Sequence, residues 1–147
     1  MNLFQNTGKK VNVLKDNCIF CKIANGEIPA ATLYEDEDFR VILDLGPASK
    51  GHALILPKKH AANLFELPDE TASKLLVVAK KIGYTLKEGL HADGLNLVQN
   101  NGEAAGQTVF HFHMHLIPRY EDDTVNVKWQ PGNLTEEDKK EILALFN

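Results

Sequence analysis

Three histidines alternate with large apolar residues in the stretch HFHMHLIP, which begins at His111 and ends at Pro118. This period of two predicts a half-buried strand over residues 111–117. Side chains at alternate positions share a face, about 6.6 Å apart, so the imidazoles of His111, His113 and His115 are expected on one side. The opposite side, which enters the core, is expected to carry Phe110, Phe112, Met114 and Leu116. Because imidazole is easily kept both neutral and reactive near pH 7, we interpret the histidine face as a functional site.

The pair Cys18 and Cys21, the only cysteines in the chain, is a second group with potential chemistry. Three interpretations compete: a redox dithiol, half of a metal site, or two thiols without a role. A redox C-x-x-C pair follows a strand and opens a helix within a βαβ unit, and the flanking segments do not supply that context. Zinc held together with two histidines fits better, because thiolates and imidazoles are ligands that zinc prefers.

Spacing alone does not say which histidines would complete such a site. His52 and His60 bracket a predicted strand, so both could reach the edge of the sheet where the histidine strand ends. His91 lies at the end of a predicted helix, where a cation is favoured, and we interpret it as a solvated cap. An alternative in which two or three of the strand histidines hold a catalytic metal stays open.

Length and charge limit the class of protein. The chain has 147 residues, enough for one domain with a sizeable core. Its net charge of −4 gives no reason to expect binding to nucleic acid or to an acidic membrane surface. No apolar run approaches the roughly 20 residues that span a bilayer, and no hydrophobic region of a signal peptide is recognisable, so a cytoplasmic location is expected.

The positioning elements are predicted from periodicity and turn signals. We expect an α+β fold: an antiparallel sheet of about five strands with one long helix on a face and a C-terminal helix. The predicted strands are 32–35, 39–43, 52–56, 94–99 and 111–117, and 61–67 is a candidate for a short helix. Residues 1–16 are predicted to be an N-terminal arm, and 17–147 a single domain with a C-terminal extension over 120–147.

The long helix is expected to start near Pro68, with acidic residues in its first turn, and to end between Gly89 and Gly94. Its buried stripe is predicted from spacings of three and four and comprises Ala72, Leu75, Leu76, Ala79, Ile82, Gly83, Leu86 and Leu90. The C-terminal helix is expected from Thr135, where a capping signal precedes an apolar face.

The histidine stretch resembles the His-φ-His-φ-His-φ-φ signature of the histidine triad superfamily, where φ is apolar. Blocks at 18–23, 51–60 and 100–119 are similar to the nucleotide-binding branch of that superfamily, and the resemblance covers roughly 18–132. A lone H-x-H-x-H would be weak evidence, whereas the histidine stretch together with these three blocks, all in the same order, is specific.

The resemblance implies a role for each group. Zinc would be held by Cys18, Cys21, His60 and His111 in a closed, structural site. His113 would be the nucleophile, with His115 and His52 bracketing the phosphate, either stabilising charge or passing a proton to the leaving amine. Phosphate and leaving group would be contacted by Asn100, Gly106, Gln107 and Thr108, the ribose by Asp44, and the base by Phe20, Ile23 and Leu45.

The activity implied is hydrolysis of purine nucleoside 5′-phosphoramidates through a covalent nucleotidyl-histidine. Alternatives are a dinucleoside polyphosphate hydrolase, a nucleotidyltransferase, a zinc hydrolase, and a nucleotide-binding regulatory dimer with vestigial turnover. A homodimer joined across the strand and helix near 94–99 is also implied. The block around Trp129 is similar to one that approaches the partner's site in the family, but a further helix follows here and its role is not carried over.

Overall fold

The computed structural model describes residues 17–147, and the predicted arm over 1–16 lies outside this part. The first element, α1 (Ile19–Ala24), is a short helix that the sequence did not predict. Cys18 is its N-cap, with Sγ accepting the N–H of Cys21 at 3.3 Å. Because the cap and the third helical residue lie on the same end of the helix, the two cysteines of the motif are brought together.

Within residues 17–147, five antiparallel strands form one sheet, as predicted. They are β1 (Thr32–Glu35), β2 (Phe39–Leu43), β3 (Ala53–Pro57), β4 (Gly94–Val98) and β5 (Met114–Arg119), in the order β1-β2-β3-β5-β4. The strand β5 is therefore an interior strand, and His115 lies between Leu54 of β3 and Val98 of β4.

The predicted start of the histidine strand is wrong by three residues. Pairing in β5 begins at Met114, so His111 and His113 lie in the approach to the strand. Phe112 is fully buried, but Phe110, which was predicted to enter the core, is 47% exposed. The N–H of Phe112 donates to the carbonyl of Ala61 at 2.7 Å, which holds the approach in place without a strand neighbour. The segment 61–67 is a series of turns, not the helix considered above.

The long helix α2 (Asp69–Gly89) begins with Asp69 and Glu70 in its first turn, as the dipole favours. Its buried residues are Leu75, Val78, Ala79, Ile82 and Gly83. Leu76 was predicted to be buried and is 63% exposed, because the stripe follows Val78 instead. The helix ends at Gly89. Two residues later His91 has a positive φ of 54°, and the N–H of the next residue, Ala92, donates to the carbonyl of Lys87. His91 is exposed at this end, as predicted.

Both faces of the sheet are covered. Alternate residues of β2 and β3 point to opposite sides. One side packs with α2 and contains Val41, Ile55, Phe112 and Leu116, among others. The other side packs with α1 and contains Ala24, Ile42, Leu54 and Leu56. The helix α1 therefore covers one face of the sheet while α2 covers the opposite face.

The C-terminal helix α3 (Glu136–Ala144) forms where it was predicted, with Thr135 as N-cap. The Thr135 hydroxyl accepts the N–H of Asp138 at 3.1 Å. None of the residues of α3 is buried. No helix between residues 17 and 147 combines the length and apolarity required to cross a bilayer.

Candidate active site and metal centre

Four predicted metal ligands converge where α1 meets the approach to β5. Nδ1 of His111 lies 3.4 Å from the Sγ atoms of both Cys18 and Cys21. Nδ1 of His60 lies 3.3 Å from Sγ of Cys21. All four donor atoms lie within 4.8 Å of one another. The sequence left the two histidines unassigned, and the fold selects the pair that the resemblance implies.

This donor set fits a zinc ion. A tetrahedral site with ordinary Zn–S and Zn–N lengths separates sulfur from nitrogen by about 3.5 Å, close to the distances found here. The other ring nitrogen of His111, Nε2, donates to the carbonyl of Pro57 at 2.9 Å, which leaves a lone pair on Nδ1. Burial lowers the pKa of His111 to about 4, so its ring is neutral and able to bind a metal near pH 7.

His113 is buried beside this cluster, and its ring has a fixed orientation. Nδ1 lies 2.7 Å from the carbonyl oxygen of His111. A carbonyl only accepts, so Nδ1 carries a hydrogen, and when the ring holds a single hydrogen the lone pair is on Nε2. The ring of Phe20 meets it edge-on, with centroids 5.0 Å apart. Nε2 is therefore the ring nitrogen of His113 that is available to act as a nucleophile.

His52 and His115 form a pair next to His113. Nε2 of His52 lies 2.8 Å from Nδ1 of His115, and the rings of His115 and His113 have centroids 5.1 Å apart. Burial, with help from His113 and His52, lowers the pKa of His115 to about 4. Burial also lowers the pKa of His52, while Asp44 opposes that shift. Both rings are consequently neutral near pH 7.

The Gly-rich loop between β4 and β5 contains one 3-10 turn, Glu103–Ala105, and two glycines with positive φ, Gly102 (88°) and Gly106 (95°). Other residues adopt such values only with strain. The backbone N–H groups of Ala105, Gly106 and Gln107 do not form a cradle for an anion. Their N–H groups donate to the carbonyls of Gly102 and Glu103, because the chain closes a tight turn on itself.

Gln107 was predicted to contact substrate, but its side chain binds the protein's own backbone. It is 3% exposed. Its Oε1 accepts the N–H of Gly102 at 2.8 Å, and its Nε2 donates to the carbonyls of Ala62 and Val109 at 2.6 and 3.0 Å. Both hydrogens of the amide are in use, so the side chain acts as a brace inside the loop. Sequence reasoning missed this role because backbone carbonyls leave no signal in the sequence.

The other predicted substrate contacts are distributed around the histidines. Oδ2 of Asp44 lies 3.6 Å from Nε2 of His52. Phe20 and Ile23 pack against the hydrophobic cluster between α1 and the sheet. Leu45, by contrast, is 97% exposed. Asn100 is half-buried, and Thr108 is exposed at the end of the loop.

Comparison with known proteins agrees with this arrangement. The model of the HIT domain family matches residues 25–122, more than half of the chain. The chain is 49% identical over 105 residues to "Protein hit" of Bacillus subtilis, covering 71% of this chain and 72% of that protein. It is 40% identical over 132 residues to an adenosine 5′-monophosphoramidase, HNT1, of Saccharomyces cerevisiae, covering 86% and 81%. It is 43% identical over 112 residues to an adenylylsulfatase, HINT3, of Arabidopsis thaliana, covering 76% and 57%.

Solved structures share the fold. A HIT family protein from Bacillus anthracis superposes with a TM-score of 0.82 at 45% identity, covering 89% of this chain and 95% of the other. A zinc-bound histidine triad family protein from Mycobacterium smegmatis superposes with a TM-score of 0.71 at 41% identity, covering 88% and 95%. On the evidence of its fold, its histidine motif and these matches, the chain belongs to the HIT, or histidine triad, family.

Proposed function

We propose that the chain hydrolyses purine nucleoside 5′-phosphoramidates through a nucleotidyl intermediate on His113. The observation that carries the proposal is the 2.7 Å hydrogen bond from Nδ1 of His113 to the carbonyl of His111, which leaves Nε2 as the ring nitrogen for nucleophilic attack. The phosphoramidase name of the yeast relative supports the substrate class. The adenylylsulfatase name of the Arabidopsis relative favours a second class, in which sulfate leaves the same α-phosphorus.

The reaction divides into two displacements at phosphorus. In the first, the lone pair on Nε2 of His113 forms a bond to the α-phosphorus, the P–N bond of the substrate breaks, and the amine leaves after its nitrogen has taken up a proton. In the second, water forms a P–O bond, the bond to His113 breaks, and the nucleoside monophosphate leaves. The attacking nitrogen needs no deprotonation, and burial lowers the pKa values of the neighbouring His52 and His115.

The remaining contacts follow the resemblance and the geometry. Asp44 is proposed to bind the ribose hydroxyls, and Leu45, with Phe20 and Ile23, to contact the base. Leu45 is suited to this role, because an apolar side chain so fully exposed gains by being covered. The amide of Asn100 and the hydroxyl of Thr108 are proposed to contact the phosphate or the leaving group. Gln107 and Gly106 contribute by fixing the loop that carries Thr108.

Zinc is proposed as a structural cofactor on Cys18, Cys21, His60 and His111. Four protein ligands leave no open position on the metal, so the ion stabilises the fold and takes no part in the displacement. Thiolate ligands agree with the expected cytoplasmic location, since a reducing compartment preserves them.

A homodimer is proposed across β4 and α2. The strand β4 is at an edge of the sheet, and an uncovered edge is a site for pairing. Leu97 on this strand is 44% exposed, and large apolar side chains on α2 are exposed as well, namely Leu76, Val77 and Tyr84. A second copy would cover this surface.

Mass spectrometry of the protein quenched during turnover tests the proposed function. We expect a nucleotide adduct on His113, and we expect His113→Ala to lower turnover by about 10⁴-fold or more while nucleotide affinity and fold remain. The control is His91→Ala, which removes an exposed histidine at the end of α2 and should leave turnover unchanged. An adduct on another residue, or near-normal rates in His113→Ala, would refute the assignment of the nucleophile.

A further inference from the structure

The backbone N–H of Ala48 lies 2.9 Å from Nδ1 of His52. An amide N–H only donates, so Nδ1 of His52 must accept and therefore carries a lone pair. A neutral imidazole has one N–H. The hydrogen of His52 is consequently on Nε2.

The same argument extends to the next ring. Nε2 of His52 is 2.8 Å from Nδ1 of His115. Because His52 carries its hydrogen there, Nδ1 of His115 accepts, and the hydrogen of a neutral His115 is on Nε2. A single backbone N–H thereby fixes the tautomers of two histidines.

We propose that Ala48 is a positioning residue whose backbone N–H keeps His52 and His115 neutral and aligned, so that His115 presents Nε2–H to the phosphoryl group as a hydrogen-bond donor. The role in turnover rests on the proposed function. The sequence left open whether His115 and His52 stabilise charge or deliver a proton. A neutral Nε2–H on His115 favours charge stabilisation.

A further proton on this pair would break the alignment. On His52 it would occupy Nδ1 and face the N–H of Ala48; on His115 it would occupy Nδ1 and face the N–H of His52. The titratable groups facing the pair are Asp44, 3.6 Å from Nε2 of His52, and the ring of His113. Asp44 favours the charged form, but burial dominates and lowers the pKa of His115 to about 4. Both rings are thus uncharged near neutral pH, and His115 stays uncharged down to mildly acidic pH.

The backbone N–H of Ala48 also disfavours a metal ion between Asp44, His52 and His115. Donor atoms of Asp44, His52 and His115 lie within 4.8 Å of one another, close enough for a metal ion. A metal on Nε2 of His52 would require the hydrogen on Nδ1, where the N–H of Ala48 already points. The geometry therefore favours a hydrogen-bonded pair of neutral rings.

The loop that carries Ala48 is fastened to the strand that carries His115. The hydroxyl of Ser49 donates to the carbonyl of Pro118 at 2.5 Å, and the hydroxyl of Tyr120 donates to the carbonyl of Lys50 at 2.8 Å. Gly51 has φ +92°, which lets the chain turn into β3 directly afterwards. The backbone that carries the N–H of Ala48 is thereby fixed to the end of β5, the strand that carries His115.

A neutral donor predicts a particular dependence on the leaving group. It stabilises charge on the phosphoryl oxygens whichever group departs. An acid would instead matter for an amine, which must be protonated, and hardly for sulfate, which need not be. In the proposed scheme the proton taken up by the amine comes from solvent.

Nitrogen NMR of the histidine rings in the full-length protein tests the tautomers directly. We expect Nδ1 of both His52 and His115 to resonate as bare nitrogens at neutral pH, with hydrogens on both Nε2 atoms. Couplings through the hydrogen bonds should join Ala48 N to His52 Nδ1 and His52 Nε2 to His115 Nδ1. A protonated Nδ1 on either ring would overturn the proposal, as would a second zinc equivalent that shifts both rings.

The variants Ala48→Pro, which removes the N–H, and Ala48→Gly, which retains it, test the role in turnover. In single-turnover formation of the His113 adduct, Ala48→Pro should react about tenfold more slowly with both an adenosine phosphoramidate and adenylyl sulfate, while KM changes little. Ala48→Gly should react like the parent protein. A loss confined to the phosphoramidate would identify an acid and refute the donor, and no loss with either substrate would refute the role altogether.

A failure of the proposed function can be distinguished from a failure of the role proposed for Ala48. If the protein acts on neither substrate, the proposed function fails, and the ring spectra still decide the tautomers. If Ala48→Pro does not fold, the spectra of the parent protein decide the proposal by themselves.

Discussion

His111 and His113 are two residues apart, yet their rings bind backbone carbonyls through opposite nitrogens. His111 uses Nε2, toward Pro57, and His113 uses Nδ1, toward His111 itself. The nitrogen left over on His111 faces two cysteine sulfurs, whereas the one left over on His113 is suited to attack phosphorus. A hydrogen bond on the far side of each ring thus distinguishes the proposed metal ligand from the proposed nucleophile.

Replacement of Gln107 by leucine tests its role as a brace. The change removes three hydrogen bonds and leaves the N–H of Gly102 and the carbonyls of Ala62 and Val109 without that partner. We expect the free energy of unfolding to fall by about 2–3 kcal/mol, measured by chemical denaturation, and kcat/KM to fall as well because the loop moves.

The adjacent Thr108→Val provides the control for that measurement. Thr108 is exposed, so removal of its hydroxyl should leave the free energy of unfolding nearly unchanged and affect turnover alone. Equal stability of Gln107→Leu and the parent protein would contradict the brace and return Gln107 to the set of substrate contacts.

Among the elements, α1 depends most on its surroundings. Six residues are too few for a helix that is stable by itself in water, and α1 is held by packing under the sheet and by its cysteines. We expect Cys18→Ala to lose one equivalent of zinc and to lower the free energy of unfolding by several kcal/mol, measured by metal analysis and thermal unfolding.

Ile19→Ala is a matched control for the cysteine variant. Ile19 is the next residue in the chain and is half exposed, so its truncation should retain the metal and most of the stability. If Cys18→Ala still binds one zinc per chain and melts like the parent protein, the structural role of the metal is wrong.

The elements also differ in how well the sequence predicted them. β1 and β2 have the predicted bounds, because apolar runs between acidic residues delimit short strands clearly. The start of β5 was misplaced because the alternation of histidines with apolar residues continues through extended chain that has no strand neighbour. Leu76 was assigned to the buried stripe since spacings of three and four admit both Leu76 and Val78, and only packing selects between them.

The sequence predicted the residue types of the candidate site better than it predicted the contacts that these residues make. The donor atoms of the four proposed zinc ligands lie together, as the resemblance implied, whereas chemistry alone had left the choice of histidines open. The side chain of Gln107 binds backbone groups of other residues, and the role proposed for Ala48 uses its own N–H; every residue possesses such backbone groups. No pattern of side chains could have identified them.

For the whole molecule, the two edges of the sheet offer a matched comparison. Leu97 on β4 and Leu33 on β1 are the same residue type with similar exposure, 44% and 40%, at opposite edges. We expect Leu97→Asp to convert a dimer into monomers in analytical ultracentrifugation, because a charge in an apolar interface is costly to desolvate. Leu33→Asp should leave the dimer intact.

Two results would contradict this arrangement: a parent protein that sediments as a monomer, or a Leu97→Asp variant that remains dimeric. Dissociation by Leu33→Asp alone would move the interface to the opposite edge. Circular dichroism of both variants controls for loss of the fold, since each substitution is on an exposed strand position.

His111 contributes to two sites through different parts of one residue. Its ring faces the cysteines, and its carbonyl holds Nδ1 of the reactive ring. If zinc binds there as proposed, loading or loss of the ion would shift the carbonyl that orients the ring of the proposed nucleophile, His113. We therefore expect zinc content to affect turnover mechanically, without contact between the ion and the substrate.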